Sequence, residues 1–234
     1  MKTETAVHTR GKTVQKMFGL IAPRYDLMNR LITAGQDQHW RHLVVQRAKL
    51  PTGGRLLDLG TGTGDLAREA LRQYPTAKIT AADFTLQMMQ VGKQHTPAAL
   101  QWSAADALSL PFADESFDAL ICGYLLRNVA DLDLALYEQL RVLKSGCRLV
   151  SLDTTRPVKN LLTPFIHFHM HTVIPALGTL LTGQAEAYRY LPETSENFLS
   201  AEDLAERLHQ AGFTQVGFER YMFGTMAIHW GIKV

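Results

Sequence analysis

The stretch Arg55-Leu56-Leu57-Asp58-Leu59-Gly60-Thr61-Gly62-Thr63-Gly64-Asp65-Leu66 decides the fold of this 234-residue chain. An apolar run precedes a glycine at every second position and then a helical pattern, which predicts a strand, a tight turn and the start of a helix. Such a turn brings backbone N–H groups close to a ligand at the positively polarised end of the helix. The stretch therefore predicts a ligand-binding loop in an α/β fold.

The spacing of these glycines separates two cofactor classes. A dinucleotide fingerprint has the order G-x-G-x-x-G, whose third glycine would fall on the position of Asp65. Asp58 lies before the loop, so carboxylates flank it on both sides and would repel a pyrophosphate. The same carboxylates would attract an amino-acid ammonium. The loop therefore favours S-adenosylmethionine over NAD, and a dehydrogenase is the alternative.

Two further predicted strands also end in an acid. Residues 78–83 end in Asp83, nineteen residues past Gly64, where a strand–helix–strand unit delivers a carboxylate to a ribose diol. The alternative is that Asp83 caps the next helix. Because the carboxyl ends of parallel strands meet at one edge of a sheet, we expect Asp58, Asp83 and Asp106 along one ligand-binding rim.

The alternation of apolar runs with amphipathic segments predicts a doubly wound, mostly parallel α/β sheet with helices on both faces. The expected strands cover about 55–60, 78–84, 100–106, 117–124 and 147–154, followed by an antiparallel hairpin of 214–219 and 225–233. The expected helices cover about 64–73, 85–94, 131–143 and 201–211, with further helical periodicity over 13–49.

Composition excludes several classes of protein. A net charge of +2 gives no general attraction to nucleic acid, so none is expected as a partner. Cys122 and Cys147 lie in strand-like runs and indicate buried thiols in a reducing compartment rather than a disulfide or a metal pair. Residues 1–13 are polar and predict a flexible tail before a single domain over 14–234, with a helical cover at 14–49 and a substrate-covering insertion at about 156–192.

Motifs outside the glycine loop are more specific than the loop itself. They include Tyr25-Asp26-Leu27-Met28-Asn29, Leu126-Arg127-Asn128-Val129-Ala130-Asp131 and Tyr188-Arg189-Tyr190-Leu191-Pro192-Glu193. Over residues 14–234 the chain resembles the ubiquinone/menaquinone biosynthesis C-methyltransferases, a class I S-adenosylmethionine-dependent family that includes demethylmenaquinone methyltransferases. The resemblance implies a seven-stranded sheet whose last strand is antiparallel, S-adenosylmethionine as the cofactor, and a polyprenylated quinol (demethylmenaquinol or a ubiquinol precursor) as the substrate.

Three positions depart from the family pattern. Tyr124-Leu125 replaces Phe-Gly beside the expected methyl donor, which leaves another small aromatic or lipid acceptor as an alternative. Ser145-Gly146-Cys147 replaces Pro-Gly-Gly, and Asp153-Thr154-Thr155-Arg156-Pro157 replaces Glu-Phe-Ser-Lys-Pro. A non-catalytic adenosylmethionine-binding subunit would be expected to lose Arg127 and Asn128, which are present.

The resemblance and the rim of acids together predict the cofactor site. Asp83 is expected on the ribose, Asp106 and Ala107 beside the adenine, and Tyr25 over the methionine moiety. The full expected set is Tyr25, Asp58, Gly60, Gly62, Thr63, Gly64, Asp83, Met88, Asp106, Ala107 and Gly123.

Methyl transfer to a ring carbon requires alignment of the acceptor and stabilisation of phenolate character. Arg127 and Asn128 are the expected catalytic residues, and a helix-start network is the competing interpretation. The proton acceptor is expected to be a water oriented by Arg127, or a histidine. The expected substrate-side residues are Tyr188, Tyr190, His171 and His229.

The apolar segment at about 159–182 is interpreted as a cover over the rim. Its histidines and two prolines argue against a membrane-spanning helix. On a helix His167 and His171 would share a face while His169 points away, and no carboxylate stands at a ligand-like offset, so no metal site is expected.

A polyprenyl quinol lies in the bilayer, so a chain without a spanning helix must reach it from the water side. The cover, flanked by Arg156 and Lys159, is expected to contact anionic lipid through Phe165 and Phe168, although these residues could instead only close the core. We expect a cytoplasmic protein, peripheral at the inner face of the membrane, that could form a homo-oligomer.

Overall fold

A seven-stranded sheet forms the centre of the computed structural model, which describes residue 11 and residues 14–96, 99–156, 163–182 and 185–234. Of Thr182, residues 185–189 and Leu191 only the backbone is described. The strands are β1 Arg55–Leu59, β2 Lys78–Asp83, β3 Gln101–Ala104, β4 Phe117–Gly123, β5 Leu143–Thr154, β6 Phe213–Tyr221 and β7 Met226–Lys233.

The strand order is β3-β2-β1-β4-β5-β7-β6. The first five strands of this order run parallel, while β7 lies antiparallel between β5 and β6. Four of the five residues of β1 are buried because helices cover both faces of a parallel sheet. The predicted doubly wound sheet with a C-terminal hairpin is confirmed.

Helices flank the sheet close to the expected positions. Asp131 and Ser200 each cap a helix, because their side chains accept hydrogen bonds from the N–H groups of Leu134 and Asp203. Residues 14–21 are helical and lead into a 3₁₀ turn, Ala22–Arg24. The remaining helices are Tyr25–Ile32, Gln36–Ala48, Asp65–Gln73, Leu86–Gln94, Leu132–Val142, Thr163–Phe168, Ile174–Thr182, Ala185–Asn197 and Ala201–Gln210, with a π turn at His169–Val173.

Among the boundaries that differ from the expectation, two have an identifiable cause. The third strand ends at Ala104, because Asp106 instead forms an isolated bridge with Ser109 in the following turn. The fifth begins at Leu143, immediately after the preceding helix, where Phe117 of β4 pairs with it. Both differences depend on pairing with another segment of the chain, and the residue pattern within one strand does not show that pairing.

Residues 163–182, called here the capping segment, pack on the N-terminal helices. Ile174 joins Ile21 and Met28 in a hydrophobic cluster separate from the two large clusters on either face of the sheet. Arg24 also donates a hydrogen bond to the carbonyl oxygen of Leu181. Within the described ranges, none of the helices is both long enough and apolar enough to cross a bilayer. The predicted tail, apart from residue 11, lies outside the described residues, as does Lys159.

Candidate active site

A cavity of about 300 Å³ opens at the carboxyl ends of β1, β2 and β4. Open α/β sheets bind ligands at this edge, and the volume is in the range of small-molecule sites. Nine of the residues predicted from the sequence meet in its lining. They are Tyr25, Gly60, Gly62, Asp83, Met88, Asp106, Ala107, Gly123 and Asn128.

The glycine loop requires its glycines for steric reasons. Gly60, Gly62 and Gly64 have φ of 69°, 58° and 88°, a region that favours glycine. A Cβ on Gly60 would lie 2.9 Å from Cδ1 of Leu125, and one on Gly64 would lie 2.8 Å from Cη2 of Trp102. The loop thus keeps its backbone accessible at the start of the helix Asp65–Gln73, although Thr63 and Gly64 themselves stand behind the cavity lining.

Asp83 ties the glycine loop to the end of β2. Its Oδ2 accepts a hydrogen bond from the N–H of Gly62 at 2.7 Å, and its Oδ1 accepts one from the N–H of Thr85 at 2.6 Å. Burial raises the pKa of Asp83, and these backbone donors oppose the shift. Asp83 also lines the cavity, and its carboxylate oxygens can accept further hydrogen bonds from a ligand. Asp83 can therefore cap the helix and bind a ligand at the same time.

Asp58 lies buried beneath the glycine loop. Oδ2 accepts a hydrogen bond from the hydroxyl of Thr61 at 2.6 Å, whereas among the described residues no donor has good hydrogen-bond geometry to Oδ1. Burial raises the pKa of Asp58 to about 7, and the Thr61 hydroxyl and the Ala67 N–H oppose that shift. An under-satisfied buried carboxylate behind the loop fits a cationic ligand in the cavity, because a nearby positive charge would stabilise its ionised form.

Asp26 contacts the glycine loop, although sequence reasoning assigned it no function. It stands in the motif beginning at Tyr25, and its Oδ1 accepts a hydrogen bond from the hydroxyl of Thr63 at 2.6 Å. Desolvation, followed by the charge of Asp65, raises the pKa of Asp26. The bond attaches the N-terminal helices to the glycine loop, and the half-buried side chain of the neighbouring Tyr25 lines the cavity. In the sequence only the motif that begins at Tyr25 marks Asp26, because its partner, Thr63, lies 37 residues further along the chain.

The N-terminal helical residues also reach the cavity. Val14, Gln15 and Phe18 line it, and the side-chain amide of Gln15 donates a hydrogen bond to the carbonyl oxygen of Phe84 at 2.8 Å. Sequence reasoning missed these residues because a helical period does not say which helix covers which strand end. Thr85, Leu108, Leu125 and Val129 are further lining residues that it did not assign to the site.

Arg127 lies in a buried ion pair rather than in the cavity lining. Its Nη1 is 2.5 Å from Oδ1 of Asp153, and its side chain is only 4% exposed. The guanidinium carbon lies 5.1 Å from the ring centroid of Tyr124, which does line the cavity. The charge of Arg127 is thus balanced by a carboxylate, and Tyr124 lies between this ion pair and the cavity.

Asn128 occupies the cavity wall and joins two other elements there. Its Nδ2 donates a hydrogen bond to the carbonyl oxygen of Tyr124 at 2.7 Å, and its Oδ1 accepts one from the hydroxyl of Tyr190 at 3.2 Å. Tyr124 has φ of 59°, a conformation that non-glycine residues rarely adopt. The strained backbone lies at the point where the sequence departs from the family pattern.

The remaining predicted residues lie elsewhere. His229 is buried in β7, where its Nε2 is 2.9 Å from the carbonyl oxygen of Ala201 and burial lowers its pKa. His171 is on the outer surface, with its Nε2 2.7 Å from Oε1 of Glu196. Neither histidine lines the cavity, so a histidine proton acceptor is not supported. The side chain of Tyr188 lies outside the described residues.

Fold and site together define the class of protein. A mostly parallel seven-stranded sheet with an antiparallel β7 between β5 and β6 is the fold of class I S-adenosylmethionine-dependent methyltransferases. The glycine loop after β1 and the acid at the end of β2 form the edge of the cavity. The loop and the acid from which an adenosylmethionine site was predicted thus lie together at one cavity.

Comparison with known proteins identifies the family. The chain matches the ubiE/COQ5 methyltransferase family over residues 5–233, and it belongs to that family. It is 47% identical over 231 residues to a ubiquinone/menaquinone biosynthesis C-methyltransferase of Desulfotalea psychrophila, covering 98% of this chain and 94% of that protein. It is 41% identical over 226 residues to a demethylmenaquinone methyltransferase of a Roseiflexus species, covering 96% and 94%.

The solved structures agree on the fold. An S-adenosylmethionine-dependent methyltransferase of Thermotoga maritima superposes with a TM-score of 0.63 at 21% identity, covering 94% of this chain and 99% of that one. The chain is therefore an S-adenosylmethionine-dependent C-methyltransferase, as the motifs predicted, and the dehydrogenase alternative is excluded.

Proposed function

We propose that this enzyme methylates a ring carbon of a polyprenylated quinol, either demethylmenaquinol or a ubiquinol precursor. One observation carries the proposal. The glycine loop, Asp83 and Asn128 meet in a single cavity whose other walls include the apolar residues Phe18 and Val129. Such a cavity can hold a polar cofactor at one end and an apolar ring at the other. The names of the most similar relatives support the same substrate class.

The cofactor end of the cavity is assigned to the residues at the strand ends. When bound, S-adenosylmethionine supplies a sulfonium methyl group. Asp83 would hold the ribose hydroxyls, Met88 with Asp106 and Ala107 would contact the adenine, and Gly123 with Tyr25 would contact the methionine end. Asp58, Thr63 and Gly64 would act from behind the lining, through charge and loop conformation.

The acceptor end is assigned to the turn after β4. A quinol ring carbon becomes nucleophilic as the neighbouring hydroxyl loses its proton, so the wall must tolerate phenolate character. Nδ2 of Asn128 carries a second hydrogen beyond the one bonded to Tyr124, and it would donate that hydrogen to the quinol oxygen. None of the described lining residues is a histidine, so we assign the proton to water.

Arg127 is assigned a positioning function in the same turn. Its pair with Asp153 fixes the backbone between Tyr124 and Asn128, because the N–H of Arg127 also donates to Oδ2 of Asp153 at 3.2 Å. This geometry holds the strained turn in place while the acceptor ring aligns with the methyl group.

The outer face of the capping segment is assigned to the membrane surface. Phe165 and Phe168 are 72% and 58% exposed, while Ile174 on the same segment is buried against the N-terminal helices. The segment therefore closes the core with one face and leaves aromatic side chains on the other. Such a face inserts into the headgroup region of a bilayer, where the substrate is found. We place the enzyme at the cytoplasmic side of the membrane.

A methyl-transfer assay tests the substrate class. The purified chain would be incubated with methyl-labelled S-adenosylmethionine and a panel of demethylated quinols, and the products would be located by mass spectrometry. We expect a labelled ring carbon with reduced quinols and none with the oxidised quinones, which lack the ionisable hydroxyl. Methylation of simple aromatic acceptors in preference to every quinol would instead support the broader acceptor class suggested by Tyr124-Leu125.

A further inference from the structure

Two histidines and a glutamate meet on the surface of the capping segment. His167 and His171 lie one helical turn apart, and their rings stack with centroids 4.2 Å apart. Glu196 belongs to the helix Ala185–Asn197, and its Oε1 lies 2.7 Å from Nε2 of His171. One nitrogen or oxygen atom from each of the three exposed side chains lies within 4.8 Å of the other two.

This arrangement has the chemistry of a zinc site. Histidines at i and i+4 of a helix present two imidazoles on one face, and a carboxylate from a second element supplies the third ligand. Bonds of about 2.0–2.1 Å in a tetrahedral site hold the ligand atoms roughly 3.4 Å apart. The most distant ligand atoms would have to close by roughly 1.4 Å at most, and the His171–Glu196 pair would have to open by about 0.7 Å. Rotamer changes at an exposed surface can supply this movement.

The third ligand explains why the sequence did not predict a metal site. No carboxylate stands at a ligand-like offset from the histidines along the capping segment itself. The fold brings Glu196 from a different helix, 25 residues beyond His171. His169, in contrast, turns inward, with its Nε2 3.3 Å from the carbonyl oxygen of Ile32.

We propose that His167, His171 and Glu196 bind one zinc ion, with water in the remaining coordination position. The metal would take the place of the hydrogen that His171 and Glu196 share, and it would join the capping segment to the helix Ala185–Asn197. That helix also carries Tyr190, six residues before Glu196, whose hydroxyl reaches Asn128 in the cavity wall. The bound zinc would therefore stabilise the position of the helix whose Tyr190 contacts Asn128.

Calorimetric titration of the full-length, tag-free and metal-depleted protein with zinc chloride tests the proposal. We expect one bound zinc per chain. His171→Ala and Glu196→Gln should each weaken binding about tenfold or more, since each removes one of three ligands. His209→Ala, which removes an exposed histidine from the helix Ala201–Gln210, should leave the affinity unchanged.

Two further measurements show whether a loss of zinc binding is due to misfolding, and neither depends on enzyme activity. Circular dichroism should be the same for all variants, because the altered side chains are exposed. Zinc should raise the melting temperature of the wild type and of His209→Ala but not of the double variant His167→Ala/His171→Ala. Absence of one-site zinc binding in the wild type, or equal binding by the folded double variant, would overturn the proposal.

Discussion

The hydroxyl of Tyr190 donates a hydrogen bond to Oδ1 of Asn128 across 3.2 Å, and 62 residues separate the two along the chain. Asn128 also holds the carbonyl oxygen of Tyr124, so one amide connects the strained turn after β4 with the helix Ala185–Asn197. A shift of that helix would therefore alter the contacts of Asn128 in the cavity wall. The contact joins the motif that contains Asn128 to the motif that contains Tyr190, which the sequence shows only as separate patterns.

Loss of the Asn128 amide should slow methyl transfer. We expect Asn128→Ala to lower turnover by roughly 10- to 100-fold, because it removes a donor to the developing phenolate together with the contact to Tyr190. Tyr190→Phe should have a smaller effect, about three- to tenfold, since it removes one hydrogen bond. Steady-state kinetics with a verified quinol would measure both effects. Tyr137→Phe, at an exposed tyrosine of another helix, is the control; near-normal turnover in Asn128→Ala would remove that residue from catalysis.

Asp83 should dominate the affinity for the cofactor. Asp83→Ala is expected to weaken S-adenosylmethionine binding by roughly 2–4 kcal/mol, because it removes charge-assisted bonds to the ribose and also frees the N–H of Gly62. Calorimetry with the wild type and with Asp133→Ala, an exposed acid at another helix, gives the comparison. Unchanged affinity in Asp83→Ala would exclude the ribose assignment.

Cofactor affinity should depend on pH through Asp58. Burial raises its pKa to about 7 in the cofactor-free protein, and a sulfonium or ammonium group nearby would lower that pKa in the complex. Protonation of Asp58 then competes with binding, so the affinity should rise with pH through the region of that pKa. We expect binding about tenfold weaker at pH 6 than at pH 8.

The variant Asp58→Asn distinguishes this source of pH dependence from others. It cannot ionise, so its affinity should stay nearly constant between pH 6 and pH 8. Calorimetry in buffers of different ionisation enthalpy should also show proton release on binding to the wild type near pH 7 and none for the variant. An equally steep pH profile in both proteins would assign the titration to another group.

Arg127 should matter for stability as well as for turnover. Arg127→Ala leaves the buried carboxylate of Asp153 without its cation, a change that costs about 3–5 kcal/mol in comparable buried pairs. Urea unfolding should show this loss, and the double variant Arg127→Ala/Asp153→Asn should recover part of it. Below the melting transition, we expect Arg127→Ala to reduce turnover by about a hundredfold with little change in cofactor affinity, because the turn that carries Asn128 is displaced. Full turnover in the folded single variant would contradict the positioning function.

Local patterns were sufficient for the parallel strands and for the glycine loop that lines one edge of the cavity. The strand, the glycine loop and the helix that follow one another over residues 55–73 are determined by neighbouring residues, so their periodicity and glycines predict them directly. The acid at the end of β2 follows in the same way. The antiparallel insertion of β7, in contrast, was implied by the family resemblance, because periodicity does not state which strands pair.

Contacts between distant elements could not be derived in this way. His229 was expected near the substrate, yet its pairing with Ser151 and Phe218 fixes a register that turns its side chain toward Ala201. A one-residue shift of that register would turn it to the other face of the sheet. Glu196 beside His171 likewise depends on how two helices pack, and no spacing along one helix contains that information.

The exposed aromatic residues of the capping segment should govern membrane association. We expect the full-length protein to bind anionic lipid vesicles reversibly and the variant Phe165→Ser/Phe168→Ser to lose that binding, because their insertion into the headgroup region supplies the apolar contribution. Phe223→Ser is a matched control, since Phe223 is 68% exposed but belongs to the turn between β6 and β7. Co-flotation with vesicles would measure the bound fraction, and circular dichroism would show that the double variant is folded. Equal binding by the wild type and the double variant would refute this assignment of the capping segment, while the methyltransferase activity would stand unaffected.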